Sequence, residues 1–239
     1  MKNFVDYFSI VGIIRGMPEL KLSLFGPPRV ELDGVAVDFQ RRKALALLIY
    51  LAVSGQPHSR DALATLFWPD QDQSRARAYL RRDLAVFNTN LAGKWLAVDR
   101  ETLELKGVSD FWMDVAYFCQ LLEACQHHDH LPEVVCSDCL PLLAEAVALY
   151  TDDFLAGFTL RDSPEFDDWQ FFQTESLRQE LASALEHLVQ GYNVQGKYEA
   201  VISHARRWLT LDPLYEPAQR QLMQLYDRTG QTGRGIAPI

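Results

Sequence analysis

Residues 73–91 read QSRARAYLRRDLAVFNTNL. At 100° per residue, Ala76, Leu80, Leu84, Phe87 and Leu91 fall into one stripe, which predicts a helix from about Gln73 to Leu91 with an apolar back. With Leu80 at the centre of the buried stripe, Arg75 and Arg82 stand almost opposite it and flank Ala78. Ser74 and Arg81 lie along one shoulder and Tyr79 along the other; Arg77 completes a set of four arginines. Such a helix, anchored on one side and carrying guanidinium groups on the other, can enter a DNA major groove. There Arg pairs bidentately with guanine or clamps phosphate, and a small residue such as Ala78 permits close approach. The charge pattern alone also describes an ordinary solvated helix face, so the flanking sequence decides.

Upstream, Leu20–Gly26 (LKLSLFG) and Arg29–Gly34 (RVELDG) alternate apolar and polar residues, and Asp33-Gly34 is a hairpin dipeptide before Val35–Phe39. These runs predict a small antiparallel sheet. From Arg41 the period changes: Ala44, Leu47, Leu48 and Leu51 share one face of a helix that Gly55 and Pro57 end. Ser59 suits the N-cap of a short helix through Phe67, stopped by Pro69. Downstream, Trp95–Val98 and Leu103–Lys106 are alternating runs around Asp99-Arg100-Glu101-Thr102, which predicts a hairpin. Strands, three helices and a hairpin make an α+β winged helix-turn-helix domain with a leading sheet, expected over residues 20–108. In that layout Arg100 sits on the wing, placed for the DNA backbone or minor groove, and Arg41, Arg42 and Lys43 could add phosphate contacts.

Beyond Gly107 the strand signals stop. Asp114–Gln126, Leu140–Leu155 and Glu165–Gln195 read as helices, followed by Tyr198–Leu211. HLVQGYNVQG (187–196) aligns without gaps on QLMQLYDRTG (221–230), so Leu188, Tyr192 and Gly196 recur 34 residues on as Leu222, Tyr226 and Gly230. Thirty-four residues is the tetratricopeptide period, in which each helix pair buries its apolar face against the next. Residues 109–239 are therefore expected to form an all-α TPR-like repeat domain. Its last repeat is incomplete, because Gly233, Gly235 and Pro238 cannot continue a helix. That pattern suits a truncated or partial chain. Residues 1–19 are read as a non-cleaved extension, since Asp6 interrupts the apolar run and no small-residue cleavage site follows.

Hydrophobic residues make up 48% and charged residues 23%, which are globular values. No apolar run approaches the ~20 residues that span a bilayer, and a reduced cytoplasmic setting is expected. The net charge of -9 conceals an asymmetry. Residues 20–107 hold 13 Lys and Arg against 10 Asp and Glu, net +3; residues 108–239 hold 8 against 20, net -12. The basic half can approach DNA and the acidic half should repel it. No phosphate-binding loop, dinucleotide fingerprint, HExxH or GxSxG occurs, and no catalysis or cofactor is expected. Asp152-Asp153 and Glu165-Asp167-Asp168 are read as helix-end solvation. Cys136 and Cys139 form a CxxC preceded by Cys125, His127, His128 and His130. Such thiols and imidazoles can bind zinc, with Cys125, Cys136, Cys139 and His130 as candidate ligands, and CxxC also serves redox chemistry. The simpler reading is a polar loop with two thiols at the start of the next helix, burying Cys139. Trp169, Phe171, Phe172 and Trp208 resemble an aromatic box but are expected to be core.

Several strings resemble a known family. LKLSLFGPPRVELDG, RRKALALLIYLAVSG, SRDALATLFWPD and the Arg-rich helix resemble the OmpR-like winged helix of SARP-type activators. AVALYTDDFLAGF, SPEFDDWQ and LDPLYEPAQRQLMQLYDRTGQ resemble the bacterial transcriptional activator domain that follows it there. The resemblance spans about residues 20–231. It implies a regulator that binds repeated sites on double-stranded DNA, often as a homodimer, and recruits RNA polymerase. By the same token Arg75, Ala78, Tyr79 and Arg82 inherit the base-facing role, and the loop Trp68–Asp72 matches a segment that often faces polymerase. The helix ends in FNTNLAG instead of a strongly basic run, a departure that weakens the expected phosphate contacts. The rival reading is a protein-interaction scaffold whose winged helix does not touch DNA.

Overall fold

A computed structural model describes residues 20–106, 111–127 and 136–211, together with Glu216, Gln219, Arg220, Leu222 and Met223. The extension 1–19, His128, His130, Pro213, Tyr226 and Gly230 lie outside the described residues. The chain divides into two compact units, residues 1–120 with 151–175 and residues 121–150 with 176–239.

The first unit opens with strands β1 (Leu20–Ser23), β2 (Arg29–Leu32) and β3 (Val35–Ala36), paired antiparallel as the alternation predicts. Leu20 and Leu22 are fully buried while Lys21 and Ser23 are partly exposed, the signature of a sheet with one face on a core. Asp33 and Gly34 both take positive φ, 51° and 76°, between paired Leu32 and Val35. That is the two-residue turn Asp-Gly favours, since its twist matches the strands it joins.

Helix α1 (Arg42–Ser54) was expected to bury one face. Instead Ala46, Ile49, Ala52 and Val53 are buried besides Ala44, Leu47, Leu48 and Leu51. A helix apolar nearly all round is a central one. Gly55 ends it in the left-handed conformation and donates to Leu51 O at 3.2 Å. Strand β4 (His58–Ser59) leads into α2 (Arg60–Phe67), where the Ser59 hydroxyl accepts from Ala62 N at 3.1 Å. Helix α3 (Gln73–Asn90) is capped by Asp72, which accepts from Ser74 N and Arg75 N at 3.1 Å each. The hairpin β5 (Leu96–Val98) and β6 (Thr102–Leu105) pairs in register Val98↔Leu103, and β6 also pairs β4, completing a three-stranded sheet.

Two features depart from the sequence reading. Phe111–Met113 forms strand β7, parallel to β1 with Leu20 opposite Phe111, although strand signals stop at Gly107. Three residues show no readable alternation, and β7 exists only because β1 offers a free edge. Asp114 then begins α4 (Asp114–Gln126); its buried carboxylate accepts from Leu24 N (2.7 and 2.9 Å), Phe25 N (3.0 Å) and Val115 N (2.8 Å). The second departure is α5 (Cys139–Leu149), which stops six residues short of the expected Leu155. Leu155 N donates to Leu24 O (2.9 Å), Gly26 N to Asp153 O (3.0 Å), and the Thr151 hydroxyl to Phe25 O (2.8 Å). The backbone after Tyr150 thus pairs with the chain leaving β1, and Leu155 takes φ 54°.

In the second unit, α6 (Pro164–Val194, which begins in the first unit) and α7 (Tyr198–Leu211) form the helix pair of a repeat. Lys197 N reaches back to Tyr192 O at 2.9 Å around Gly196, φ 70°, so glycine suits that turn. Val189, Val201, Ala205 and Leu222 form a buried cluster, with Tyr192, Ile202 and Leu209 against it. Leu188 and Leu222, equivalent in the 34-residue repeat, are both buried, as stacking of like units requires. Gly191 lets α5 approach: a β-carbon there would stand 2.5 Å from Leu140 Cδ2.

Candidate nucleic-acid interface

The face of α3 opposite its core is open. Ala76, Leu80, Leu84 and Phe87 are buried, Leu91 lies just past the helix end and is buried too, and Ser74, Arg75, Arg77, Ala78, Arg81 and Arg82 are exposed, with Tyr79 half-buried. Tyr79 stacks on Trp68 (ring centroids 6.1 Å, 30°), and the Arg82 guanidinium lies over Tyr79 at 5.6 Å. Arg82 is thereby oriented by a ring fixed to the core while its charge stays in solvent.

The four arginines differ in availability. Arg77 Nε and Nη2 bind both oxygens of Asp61 on α2, at 2.5 and 2.6 Å. These hydrogen bonds from Arg77, with one from Gln73, hold the Asp61 carboxyl below the usual carboxylate range. Arg77 is thus neutralised at the flank. Arg75 reaches Asp72, its own cap, at 3.3 Å, but both are largely exposed and such a surface pair holds weakly. The Arg81 guanidinium makes no hydrogen bond or ion pair with the described residues.

The wing comes to the same place. Asp99 accepts from Glu101 N (2.7 Å), Thr102 N (2.5 Å) and the Thr102 hydroxyl (2.7 Å), closing the turn and leaving Arg100 exposed. These bonds, led by those from Thr102, hold the Asp99 carboxyl low. Arg60 N donates to Glu101 O (2.8 Å) and its guanidinium to Asp99 O (3.2 Å), which ties the wing to α2. Arg77, Arg81 and Arg100 line one basin with Ser59, Arg60, Asp61, Leu80 and Glu101. Arg60 was not singled out in the sequence. Its only signal there is a basic residue directly after the N-cap of the helix preceding α3.

Arg42 and Lys43, expected to reach phosphates, have other partners. Arg42 Nη2 donates to Thr159 O at 3.0 Å and its guanidinium covers the Phe158 ring at 4.6 Å. Lys43 Nζ donates to Phe67 O at 2.5 Å, meets Asp162 at 3.4 Å and lies over Trp68. Arg41 pairs with Asp83, whose side chain is fully buried on the core face of α3. Asp83 was missed as well; a carboxylate three residues past Leu80 falls inside the apolar stripe and needs a cation.

Of the cysteines, Cys139 is the first residue of α5 and buried, as expected. Its sulfur is 3.4 Å from that of Cys136, and the Cys125 thiol donates to Cys139 O at 3.7 Å. Among the described residues no three His, Cys, Asp or Glu side chains are grouped to hold a metal; His130 lies outside them. Trp208 is core, and Trp169 packs on Tyr50, Phe154 and Phe166 at 4.9–5.8 Å. Phe171 and Phe172 are 60% and 68% exposed, against the expectation of core packing, because they lie on the outer side of α6.

Residues 113–237, just over half the chain, match the family model of the bacterial transcriptional activator domain. The chain belongs to that family. With the winged helix ahead of it, the architecture is that of a SARP-type bacterial transcriptional activator, a class of transcriptional regulators. Among solved structures, Mycobacterium tuberculosis EmbR in complex with a low affinity phosphopeptide is similar over 90% of this chain and 57% of that chain, with TM-score 0.67 and 21% identity. At that identity the likeness shows the fold. No curated protein matches the chain. The activator-domain match begins within β7 and includes residues 151–175, so part of the family segment folds with the first unit and supplies the Thr159 and Asp162 partners of Arg42 and Lys43. Among the described residues no helix is long and apolar enough to cross a membrane.

Proposed function

We propose that this SARP-type activator binds specific double-stranded DNA sequences by laying α3 in the major groove and the β5–β6 wing on the adjacent backbone or minor groove. The observation that carries this reading is the exposed arginine face of α3, opposite a buried stripe and continuous with Arg100 in one basin. Arg75, Arg82 and Tyr79 face the bases, with Ser74 beside them and Ala78 allowing close approach. Arg81, Arg100 and Arg60 meet phosphate, where they fix register without reading sequence. Residues 20–108 act as the DNA-binding domain, and the helical repeat region serves dimerisation or regulation in the cytoplasm. The Trp68–Asp72 loop, with Asp70 and Asp72 exposed, is the surface offered to RNA polymerase.

The test is selection of bound duplexes from a random-sequence pool, followed by fluorescence-anisotropy titration of the enriched site at rising salt. Enrichment of a common motif is expected, with affinity falling steeply as salt releases counterions. No enriched motif, or binding indifferent to salt, would overturn the reading in favour of a protein-interaction role.

A further inference from the structure

The CxxC at the start of α5 plays no part in DNA binding, yet its two thiols are in contact. The Sγ atoms of Cys136 and Cys139 are 3.4 Å apart, and Cys139 N–H points at Cys136 Sγ, also at 3.4 Å. Closing that gap to the ~2.05 Å of a disulfide is a small displacement. The two sulfurs sit in different surroundings: Cys136 is partly exposed, Cys139 buried. We infer that Cys136 and Cys139 form a reversible intramolecular disulfide by exchange with a low-molecular-weight disulfide, with Cys136 as the attacking thiol and Cys139 as the resolving one.

The chemistry follows from that asymmetry. Partial burial of Cys136 and the Asp138 carboxylate beside it oppose ionisation, but hydrogen bonds from the Cys139 thiol and from the N–H groups of Cys139 and Asp138 outweigh both and favour the thiolate. Burial, with the neighbouring thiols, pushes Cys139 up to about 12, so it waits as a thiol. The Cys136 thiolate attacks one sulfur of the small disulfide, forming a mixed disulfide and expelling one thiolate, which takes up a proton. Cys139 then gives up its proton and attacks the Cys136 sulfur, expelling the second thiolate. Two protein thiols are oxidised by two electrons and one small disulfide is reduced to two thiols. The Cys139 sulfur also lies 4.0 Å from Cys125 O at the end of α4, and in the disulfide it has no hydrogen left to offer that carbonyl. Oxidation thus alters a contact between α4 and α5 inside the second unit.

The full chain, reduced and then equilibrated in buffers of varied oxidised-to-reduced glutathione ratio, tests this by thiol counting and peptide mass mapping. The reduced chain presents four thiols. Loss of two, mapped to a Cys136–Cys139 bridge and restored by reduced glutathione, is the expected result. Cys139→Ser should stop at a glutathione adduct on Cys136, and Cys136→Ser should keep its remaining three thiols, with circular dichroism checking that each variant is folded. Four persistent thiols, a bridge through Cys119 or Cys125, or a wild-type adduct that never closes would each overturn the inference. Since the readout is chemical, it is independent of whether the chain binds DNA.

Discussion

The two arginine-rich stretches, 41–43 at the start of α1 and 75–82 along α3, look alike in sequence and behave differently in the fold. Helix α1 is central, so its first turn is surrounded by other elements, and Arg41, Arg42 and Lys43 find a buried carboxylate, two backbone carbonyls and two aromatic rings. Helix α3 has one side on the core and the other in solvent, so only Arg77, at its flank, is firmly held by another element. Under the proposed function, basic residues serve a DNA surface only where the fold leaves them exposed and loosely held.

Five substitutions and a pH series test that contrast, in order of expected effect. Arg41→Ala leaves the buried Asp83 carboxylate without its cation; breaking a buried pair this way costs about 3–5 kcal/mol. Urea unfolding should show it, and a loss under 1 kcal/mol would mean that Asp83 has another partner. Arg82→Ala and Arg75→Ala should each weaken binding to the selected duplex by about 1–3 kcal/mol with helical content unchanged. Wild-type anisotropy titrations for both would remove the base-facing role of α3. Lys43→Met should cost about 1–2 kcal/mol of stability through the lost charged hydrogen bond to Phe67 O. Its DNA affinity should stay within twofold of wild type, and a shallower salt slope would return Lys43 to the interface. Asp61→Asn frees Arg77 and should raise affinity several-fold, steepening the salt dependence by roughly one phosphate contact; an unchanged slope would show that Arg77 faces away from DNA.

The pH series probes the sheet that supports the wing. Burial holds the His58 imidazole below its ordinary value, and the ring accepts or donates to the Ser54 hydroxyl at 2.7 Å. The unfolded chain takes up a proton near pH 6.5 and the folded one only lower. This group's contribution is therefore complete above about pH 6.5 and lost as pH falls. His204, lowered by burial and then by Arg207, acts with the same sign in the other unit. His58→Gln should flatten the acid side of the thermal-midpoint profile, and a profile identical to wild type would exclude His58 as its source.

Much of the fold was legible because its signals are local. Alternation over four residues placed β1 and β2, Asp33-Gly34 placed their turn, Ser59 started α2, and the stripe through Leu80 gave α3 its buried side. The open face of α3 and the wing Arg100 were readable for the same reason, since both follow from period and turn chemistry. Arg60 was not, because its place in the basin depends on bonds to a hairpin 39 residues away.

The sequence by itself determined the buried and open sides of α3 and that a 34-residue unit repeats, since dihedral period and side-chain polarity are properties of neighbouring residues. Only the tertiary structure decided which cations are taken, where α5 stops and that β7 exists. Each of those outcomes rests on a hydrogen bond or ion pair between groups far apart in the chain, such as Arg42 with Thr159 or Leu24 with Leu155. A distant carbonyl or carboxylate leaves no periodic trace near the residue that it satisfies.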